Sequence, residues 1–137
     1  MIDKLTGNTT KILEKALDAS WLRNETVSQN IANVDTPGYK RKTVTFEEHL
    51  AQEISTQLTG RRTDRRHIPI GKKSIEDVPI NVTQDNKSLS MRLDGNNVDI
   101  ENEMASMAKN SIKYNFLIQT ISGGFNRIKS AISEGRR

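Results

Sequence analysis

Residues 104–132 read "MASMAKNSIKYNFLIQTISGGFNRIKSAI", and this stretch carries the most regular pattern in the chain. Apolar side chains return at alternating steps of three and four residues, which places them along one face of an α-helix. The spacing is that of a heptad repeat. It predicts a helix that pairs with another helix, in the same chain or in a neighbouring one. The pattern comprises Met104, Met107, Ser111, Tyr114, Ile118, Ile121, Phe125, Ile128 and Ile132.

A second and weaker heptad pattern lies near the N-terminus. Polar residues interrupt it at two positions, so it predicts a helix whose apolar face is narrow. The two patterns together predict long helices over residues 1–34 and 98–137, joined by a middle segment over residues 35–97. The N-terminal pattern comprises Leu13, Leu17, Ser20, Asn24, Val27, Ile31 and Val34.

The composition limits the chain to one domain with a thin core. Its 137 residues suffice for a single domain, but only 34% are hydrophobic and 4% aromatic. The absence of cysteine excludes disulfides and cysteine-based metal sites. No apolar run approaches the roughly 18 residues of a membrane span, and the N-terminus lacks the apolar core of a secretory signal. We therefore expect one elongated domain over residues 1–137.

The middle segment has weaker patterns. The four-residue steps of Phe46, Leu50, Ile54 and Leu58 predict a short helix. Alternating apolar residues over 78–82 and 89–93, separated by turn-forming residues, predict a β-hairpin. The rest of the middle segment is predicted to form loops.

Residues 61–73, "RRTDRRHIPIGKK", hold six Lys or Arg and one Asp, whereas the rest of the chain is close to neutral. A nucleic-acid site of this kind usually adds aromatic residues or a recognisable helical motif, and neither is present here. We expect a solvated basic loop, or one that meets an acidic protein surface.

Turn-forming residues follow the first predicted helix and precede the second. Residues 36–39, "TPGY", suit a type II turn, because proline presets φ at the second position and glycine accepts a positive φ at the third. Residues 94–104, "DGNNVDIENEM", begin with a turn signal and place Asp99 as the N-cap of the second helix. A calcium loop is excluded, because Val98 and Ala105 stand where oxygen ligands belong.

The sequence offers little for catalysis. His49 lies on the predicted short helix beside glutamates, and His67 is flanked by arginines, which disfavours its charged form. No glycine-rich phosphate loop or nucleophile motif occurs. We expect no enzymatic activity, no metal, no other cofactor, no small-molecule substrate and no bound nucleic acid.

The motifs resemble those of the bacterial flagellar rod proteins of the FlgB type. "NIANVDTPGYK", residues 30–40, resembles the "N-x-A-N-x-x-T-P-G-Y" signature of flagellar axial proteins. "DGNNVDIENEM" resembles the segment before the second terminal helix of rod proteins. "RTDRRHIP", residues 62–69, resembles an "R-T-D-x-R-H" segment that distinguishes this type. The pair Gly123–Gly124 departs from the family pattern, in which a single glycine is followed by a basic residue.

The resemblance implies a mainly α fold in which the two terminal helices pair as an antiparallel coiled coil. It also implies a structural subunit of the proximal rod, a torque-transmitting shaft outside the cytoplasmic membrane. Such a subunit is exported by the flagellar type III system without a cleaved signal. It assembles with itself, with other rod subunits and with proteins near the export gate and the MS ring.

Within this expectation, Tyr39 would be exposed on the monomer and buried between subunits. The residues expected at the subunit interface come from both motifs and from the C-terminal stripe: Asn30, Asn33, Thr36, Pro37, Gly38, Tyr39, Asp94, Gly95, Asn96, Met107, Tyr114, Ile118, Ile121, Phe125 and Ile128. An alternative interpretation is a cytoplasmic helical-hairpin adaptor or binding module with a basic loop.

Overall fold

A computed structural model of the chain describes residues 2–55, 64, 78–85 and 94–135, without the side chains of residues 2–6, 8, 54 and 55. The described part is mainly helical, as predicted. The elements, in chain order, are α1 (Ile2–Ala32), β1 (Lys42–Thr45), α2 (Glu47–Ser55), β2 (Asn81–Gln84) and α3 (Ile100–Glu134).

The two long helices lie close to the predicted positions. Helix α1 has 31 residues and α3 has 35, so they are about 47 and 52 Å long. Helix α3 begins at Ile100 because the Asp99 carboxylate accepts hydrogen bonds from the backbone amides of Glu101 and Asn102, which confirms the predicted N-cap. Helix α3 continues through Gly123–Gly124 without a break.

Helices α1 and α3 contact each other in antiparallel orientation. Near the end of α1, the Asn30 amide donates to Glu103, and further back the Asn110 amide donates to the Ser20 carbonyl oxygen at 2.8 Å. The buried residues of α3 are Glu103, Asn110 and Leu117, spaced seven residues apart. The two helices therefore meet along a heptad face whose centre is largely polar.

The predicted apolar stripe of α3 lies beside this face instead of forming its centre. Met107, Tyr114 and Ile121 are half-buried at its border. The remaining apolar members of the stripe point further outward and are exposed, because the polar Glu103 and Asn110 find hydrogen-bond partners on α1 and take the centre of the contact. These exposed residues are Met104, Ile118, Phe125, Ile128 and Ile132.

A small apolar core lies on one flank of the helix pair. It is formed by Ala19 of α1 with Phe46 and Val78, all at most 2% exposed, and Leu50 and Ile80 pack against it. Phe46 directly precedes α2. The predicted short helix is confirmed as far as Ser55, and its last predicted position, residue 58, lies outside the described residues.

Strands β1 and β2 form an antiparallel pair in which Val44 lies opposite Val82. The hydroxyls of Thr43 and Thr83 are 3.1 Å apart across the pair. The sequence pattern paired the strand near residue 82 with residues 89–93, which lie outside the described residues. In the structure, β2 pairs with β1, which lies some 40 residues earlier in the chain. The sequence predicted a hairpin closed by a local turn and did not predict this pairing. The basic segment 61–73 also lies outside the described residues, apart from the exposed Asp64.

The neighbours Leu117 and Ile118 provide a matched test of this contact face. Leu117 is 8% exposed and Ile118 is 38% exposed. We expect Leu117→Ala to lower the free energy of unfolding by about 2–3 kcal/mol, because it leaves a cavity, and Ile118→Ala to lower it by about 1 kcal/mol or less. Urea unfolding of the monomer, followed by circular dichroism, measures both. A larger loss for Ile118→Ala would place that residue, and not Leu117, against α1.

Candidate functional site

The motifs "NIANVDTPGYK" and "DGNNVDIENEM" lie next to each other at one end of the helix pair. The end of α1, the segment 33–42 and the segment 94–103 contact one another there, and we call this region the junction. It contains nine of the fifteen residues that the sequence placed at a subunit interface. Polar contacts dominate it, so its hydrogen bonds determine what it does.

Asn96 stabilises the turn that follows α1. Its side chain is 1% exposed, and its amide nitrogen lies 2.9–3.0 Å from the carbonyl oxygens of Asn33, Val34 and Thr36. These carbonyls belong to the turn after α1, and the buried Asn96 amide satisfies acceptors that would be costly to leave without a partner. The Asn96 side-chain oxygen in turn accepts from the Val98 amide at 2.8 Å.

The "TPGY" stretch forms the predicted turn. The Tyr39 amide donates to the Thr36 carbonyl oxygen at 3.3 Å, and Gly38 has φ of +71°, as a type II turn requires at its third residue. The Gly38 amide donates to the Asp94 carbonyl oxygen at 2.9 Å. Gly95 also has a positive φ, and a Cβ on it would lie 3.9 Å from the Gly38 Cα. Two glycine turns thus lie against each other.

Glu103 is a charged residue with no exposed surface. Its carboxylate accepts from the Asn30 amide at 3.0 Å and from the Arg41 Nε at 2.5 Å. A carboxylate can be buried at acceptable cost only when it is paired and hydrogen-bonded, and here both conditions are met. Glu103 therefore ties the start of α3 to the end of α1 and to the segment that follows it.

Asn30 uses its full hydrogen-bonding capacity within the chain. Its amide nitrogen donates to Glu103 and to the Lys42 carbonyl oxygen at 2.8 Å. Its oxygen accepts from the Lys42 amide at 3.0 Å and from the Tyr39 hydroxyl at 3.2 Å. An amide side chain offers two donor hydrogens and two acceptor lone pairs, and all four are used.

Tyr39 differs from the expectation that it would be exposed on the monomer. It is half-buried, and its hydroxyl donates to Asn30. Burial, and then the negative charge of Glu103, raise the pKa of the Tyr39 hydroxyl above its usual value of 10.0. The hydroxyl therefore keeps its proton and remains a donor to Asn30.

Further contacts fasten the segment after α1 to the start of the second motif. The Lys40 ammonium donates to the Gly95 carbonyl oxygen at 2.7 Å, and the Arg41 amide donates to the Asn97 side-chain oxygen at 2.7 Å. The Asn97 amide donates to the Asp85 carbonyl oxygen at 2.9 Å. These bonds connect the junction to the strand pair.

Glu47 forms a second charged link, away from the junction. At the start of α2 it pairs with Arg23 of α1 at 2.7 Å and with Lys113 of α3. Burial raises the pKa of the Glu47 carboxyl, but the hydrogen bonds from Arg23, from Lys113 and from its own backbone amide, with the charge of Arg23, lower it further, to about 2. One carboxylate thus joins three helices.

The structure divides the predicted interface residues into two groups. In the junction, Asn30 and Asn96 are buried and act within the chain, whereas Thr36, Pro37 and Gly38 are exposed. Asn33, Tyr39, Asp94 and Gly95 are half-buried. The second group, on α3, comprises Met107, Tyr114, Ile118, Ile121, Phe125 and Ile128, and runs along the helix pair away from the junction.

Comparison with known proteins identifies this architecture. A family model described as flagella basal body rod protein matches residues 12–40, which include the end of α1 and the glycine turn. The flagellar basal body rod protein FlgB of Bacillus subtilis (strain 168) is 36% identical over 132 residues, covering 96% of this chain and 98% of the relative. The chain belongs to the FlgB family of flagellar basal body rod proteins. It is thus a structural subunit of the rod.

Two further FlgB proteins are similar to most of the chain. The FlgB of Proteus mirabilis (strain HI4320) is 31% identical, with 98% of this chain and 100% of the relative covered. The FlgB of Borreliella burgdorferi is 32% identical, with 82% of this chain and 86% of the relative covered. None of the helices in the described residues contains a stretch long and apolar enough to span a bilayer.

The sequence patterns did not predict the structural roles of Glu103, Arg41 and Glu47. A glutamate in the first turn of a helix is usually a solvated charge that suits the helix dipole. The signal that could have identified Glu103 is its seven-residue spacing from Asn110 and Leu117, which an apolar heptad search does not detect. Arg41 had no signal beyond its place in a run of cations.

Gly38 tests the backbone requirement of the turn. Among the described residues, no atom lies within 4 Å of a Cβ built on Gly38, so any loss on substitution comes from its positive φ. We expect Gly38→Val to lower the free energy of unfolding by about 1–2 kcal/mol, and Gly38→Asn by less, because asparagine adopts this conformation more readily. Urea unfolding of the monomer measures both. Equal losses would show that side-chain volume, and not φ, is limiting.

The lowered pKa of Glu47 predicts that the stability of the chain depends on pH. Its pKa is about 2 in the folded chain against 4.5 as a free group, so its contribution is present above pH 4.5 and is lost as the pH falls towards 2. The carboxylate is 47% exposed, so we expect its links to contribute about 1 kcal/mol or less. Lowering the pH from about 5 to about 3 should therefore lower Tm more in the parent chain than in Glu47→Gln. Thermal unfolding at both pH values measures this difference. Parallel curves would contradict a stabilising role.

Proposed function

We propose that this chain is a subunit of the proximal rod that assembles with copies of itself and with other rod subunits through one apolar flank of its helix pair. The bare flank, as we call it, comprises Trp21 of α1 with Tyr114, Ile118 and Phe125 of α3. Trp21, Ile118 and Phe125 are 62%, 38% and 58% exposed. The single observation that carries the proposal is this exposure of large apolar side chains on a chain of the rod family.

The arrangement of the middle segment supports this choice of flank. The described parts of the middle segment approach the helix pair on its other flank, where Arg23 and Lys113 meet Glu47. Tyr114 and Trp21 border a separate gap between the helices, and none of the residues that line this gap is charged. Exposed apolar patches of this kind mark protein interfaces, and tryptophan and tyrosine are enriched among the residues that contribute most to binding.

We also propose that α1 and α3 pack as a coiled coil within this single elongated domain. The seven-residue spacing of Glu103, Asn110 and Leu117 on the contact face supports it. Two paired helices of about 50 Å resist bending better than a chain of short elements, and a shaft that transmits torque needs such stiffness. The exposed turn residues Thr36, Pro37 and Gly38 offer a further contact to neighbours at the junction end.

The same proposal extends to location and partners. Rod subunits of this family would be exported through the flagellar type III apparatus and would meet proteins near the export gate and the MS ring. A chain without cysteine and with a small apolar core suits passage in an unfolded state. The role proposed is structural and not catalytic. Among the described residues, no group of three or more His, Cys, Asp or Glu is placed to hold a metal.

The alternative of a helical-hairpin adaptor rests on the basic segment 61–73. Apart from Asp64 that segment lies outside the described residues, and no observation in the described part of the chain favours the adaptor.

Ile118 tests the bare flank directly. We expect Ile118→Asp, and likewise Ile121→Asp, to block rod assembly while export continues, because burying an unpaired charge between subunits costs several kcal/mol. Basal bodies recovered from the mutant strain measure assembly, and the amount of the subunit outside the cell measures export. The control is Asn126→Asp, which adds the same charge at an exposed position of α3 away from the bare flank. Normal rods in the Ile118→Asp strain would contradict the proposed flank.

A further inference from the structure

A gap lies between α1 and α3 near the far end of the pair from the junction. Its volume is about 320 Å³, and Gly124 forms part of its wall. The apolar side chains of Leu13, Ile121, Phe125 and Ile128 line it, and Thr9 lies at its rim. We call this gap the notch. A volume of this size accommodates one aromatic side chain.

The packing of the chain itself does not explain the glycine at the notch. Among the described residues, no atom lies within 4 Å of a Cβ built on Gly123 or on Gly124. Neither glycine has a positive φ, so the backbone also tolerates another residue at both positions. Glycine inside a helix costs roughly 0.5–1 kcal/mol relative to alanine. Gly124 therefore lowers the stability of α3, and no contact among the described residues compensates for this loss.

A matching protrusion lies on another face of α3. Phe116 is 66% exposed and Ile112 is 72% exposed, and their four-residue spacing places them side by side on the helix surface. Phe116 precedes Leu117, which faces α1, by one residue, so it points about 100° away from the α1 contact. Of the exposed aromatic side chains in the described residues, Trp21 and Phe125 belong to the bare flank. Phe116 alone lies outside that flank.

We propose that Phe116 of one copy inserts into the notch of the next copy. This proposal rests on the proposed function, since it names the occupant of one site in the rod assembly. A protrusion and a recess on different faces of the same chain give a heterologous contact, which adds copies in one direction instead of closing a symmetric dimer. A second copy fits this geometry because both halves of the contact are present in every subunit.

Chemical cross-linking tests the contact, and the absence of native cysteine makes every introduced thiol unique. One chain carries Gln119→Cys, which places a thiol on α3 one turn from Phe116, and a second carries Thr9→Cys, at the exposed rim of the notch. We expect a short bismaleimide to give a cross-linked dimer in isolated basal bodies only when both chains are expressed together. A dimer of Gln119→Cys chains alone would indicate a symmetric contact and overturn the proposal. So would a cross-link from Gln119→Cys to a different rod protein, or no cross-link at all.

The same preparation separates this proposal from the proposed function. Detection of the parent chain in isolated basal bodies tests whether it is a rod subunit, and cross-linking is read only where that has been established. If the chain were absent from basal bodies, the proposed function itself would fail. If it were present without the expected dimer, only the contact between Phe116 and the notch would fail.

Substitutions test the contribution of the contact to assembly. We expect Gly124→Leu, which fills the notch, and Phe116→Ala, which removes the protrusion, each to reduce recovered basal bodies about tenfold or more, as for a central aromatic residue of an interface. Asn126→Leu adds the same side chain two residues from Gly124, at an exposed position outside the notch and the bare flank, and should assemble like the parent. The double variant should lose no more than either single one, since both remove the same contact. Parent-like assembly of Gly124→Leu, or additive losses, would overturn the proposal.

Discussion

The buried carboxylate of Glu103 is the constraint on which the rest of the structure depends. A charge with no exposed surface is tolerated only beside its partners, and those partners come from two different segments, Asn30 at the end of α1 and Arg41 in the segment after it. Slipping one helix along the other by a single turn would separate them. The polar network therefore fixes the register of α1 against α3, which apolar side chains alone specify less strictly.

The polar centre of the helix contact also explains why so much apolar surface faces outward. Glu103 and Asn110 occupy positions on the contact face that leucine or isoleucine would fill in an ordinary coiled coil, and the neighbouring apolar residues are turned towards solvent. Substituting polar for apolar residues at a helix contact usually lowers stability while increasing specificity. For a subunit of a larger structure, the apolar surface that remains is available to its neighbours.

Local features of the fold could be predicted from the sequence, whereas contacts between distant segments could not. Three of these features depend only on residues that are close in the sequence. They are the heptad spacing on α3, the proline and glycine of the "TPGY" turn, and the Asp99 cap. The pairing of β1 with β2 and the bonds from Asn96 to the turn after α1 join residues about 40 to 60 positions apart. A polar side chain that satisfies a distant backbone group leaves no periodic trace in the sequence, so these contacts required the structure.

Side chains of α1 cover one edge of strand β1. The Asn30 amide pairs with both the amide and the carbonyl of Lys42, much as a neighbouring strand would, and Arg23 approaches the Val44 carbonyl oxygen at 3.4 Å. These bonds occupy the edge of β1 that faces away from β2. An exposed strand edge is a template for uncontrolled pairing with other chains. The side chains of α1 thus occupy this edge of the strand pair, so the free subunit does not offer it to other chains.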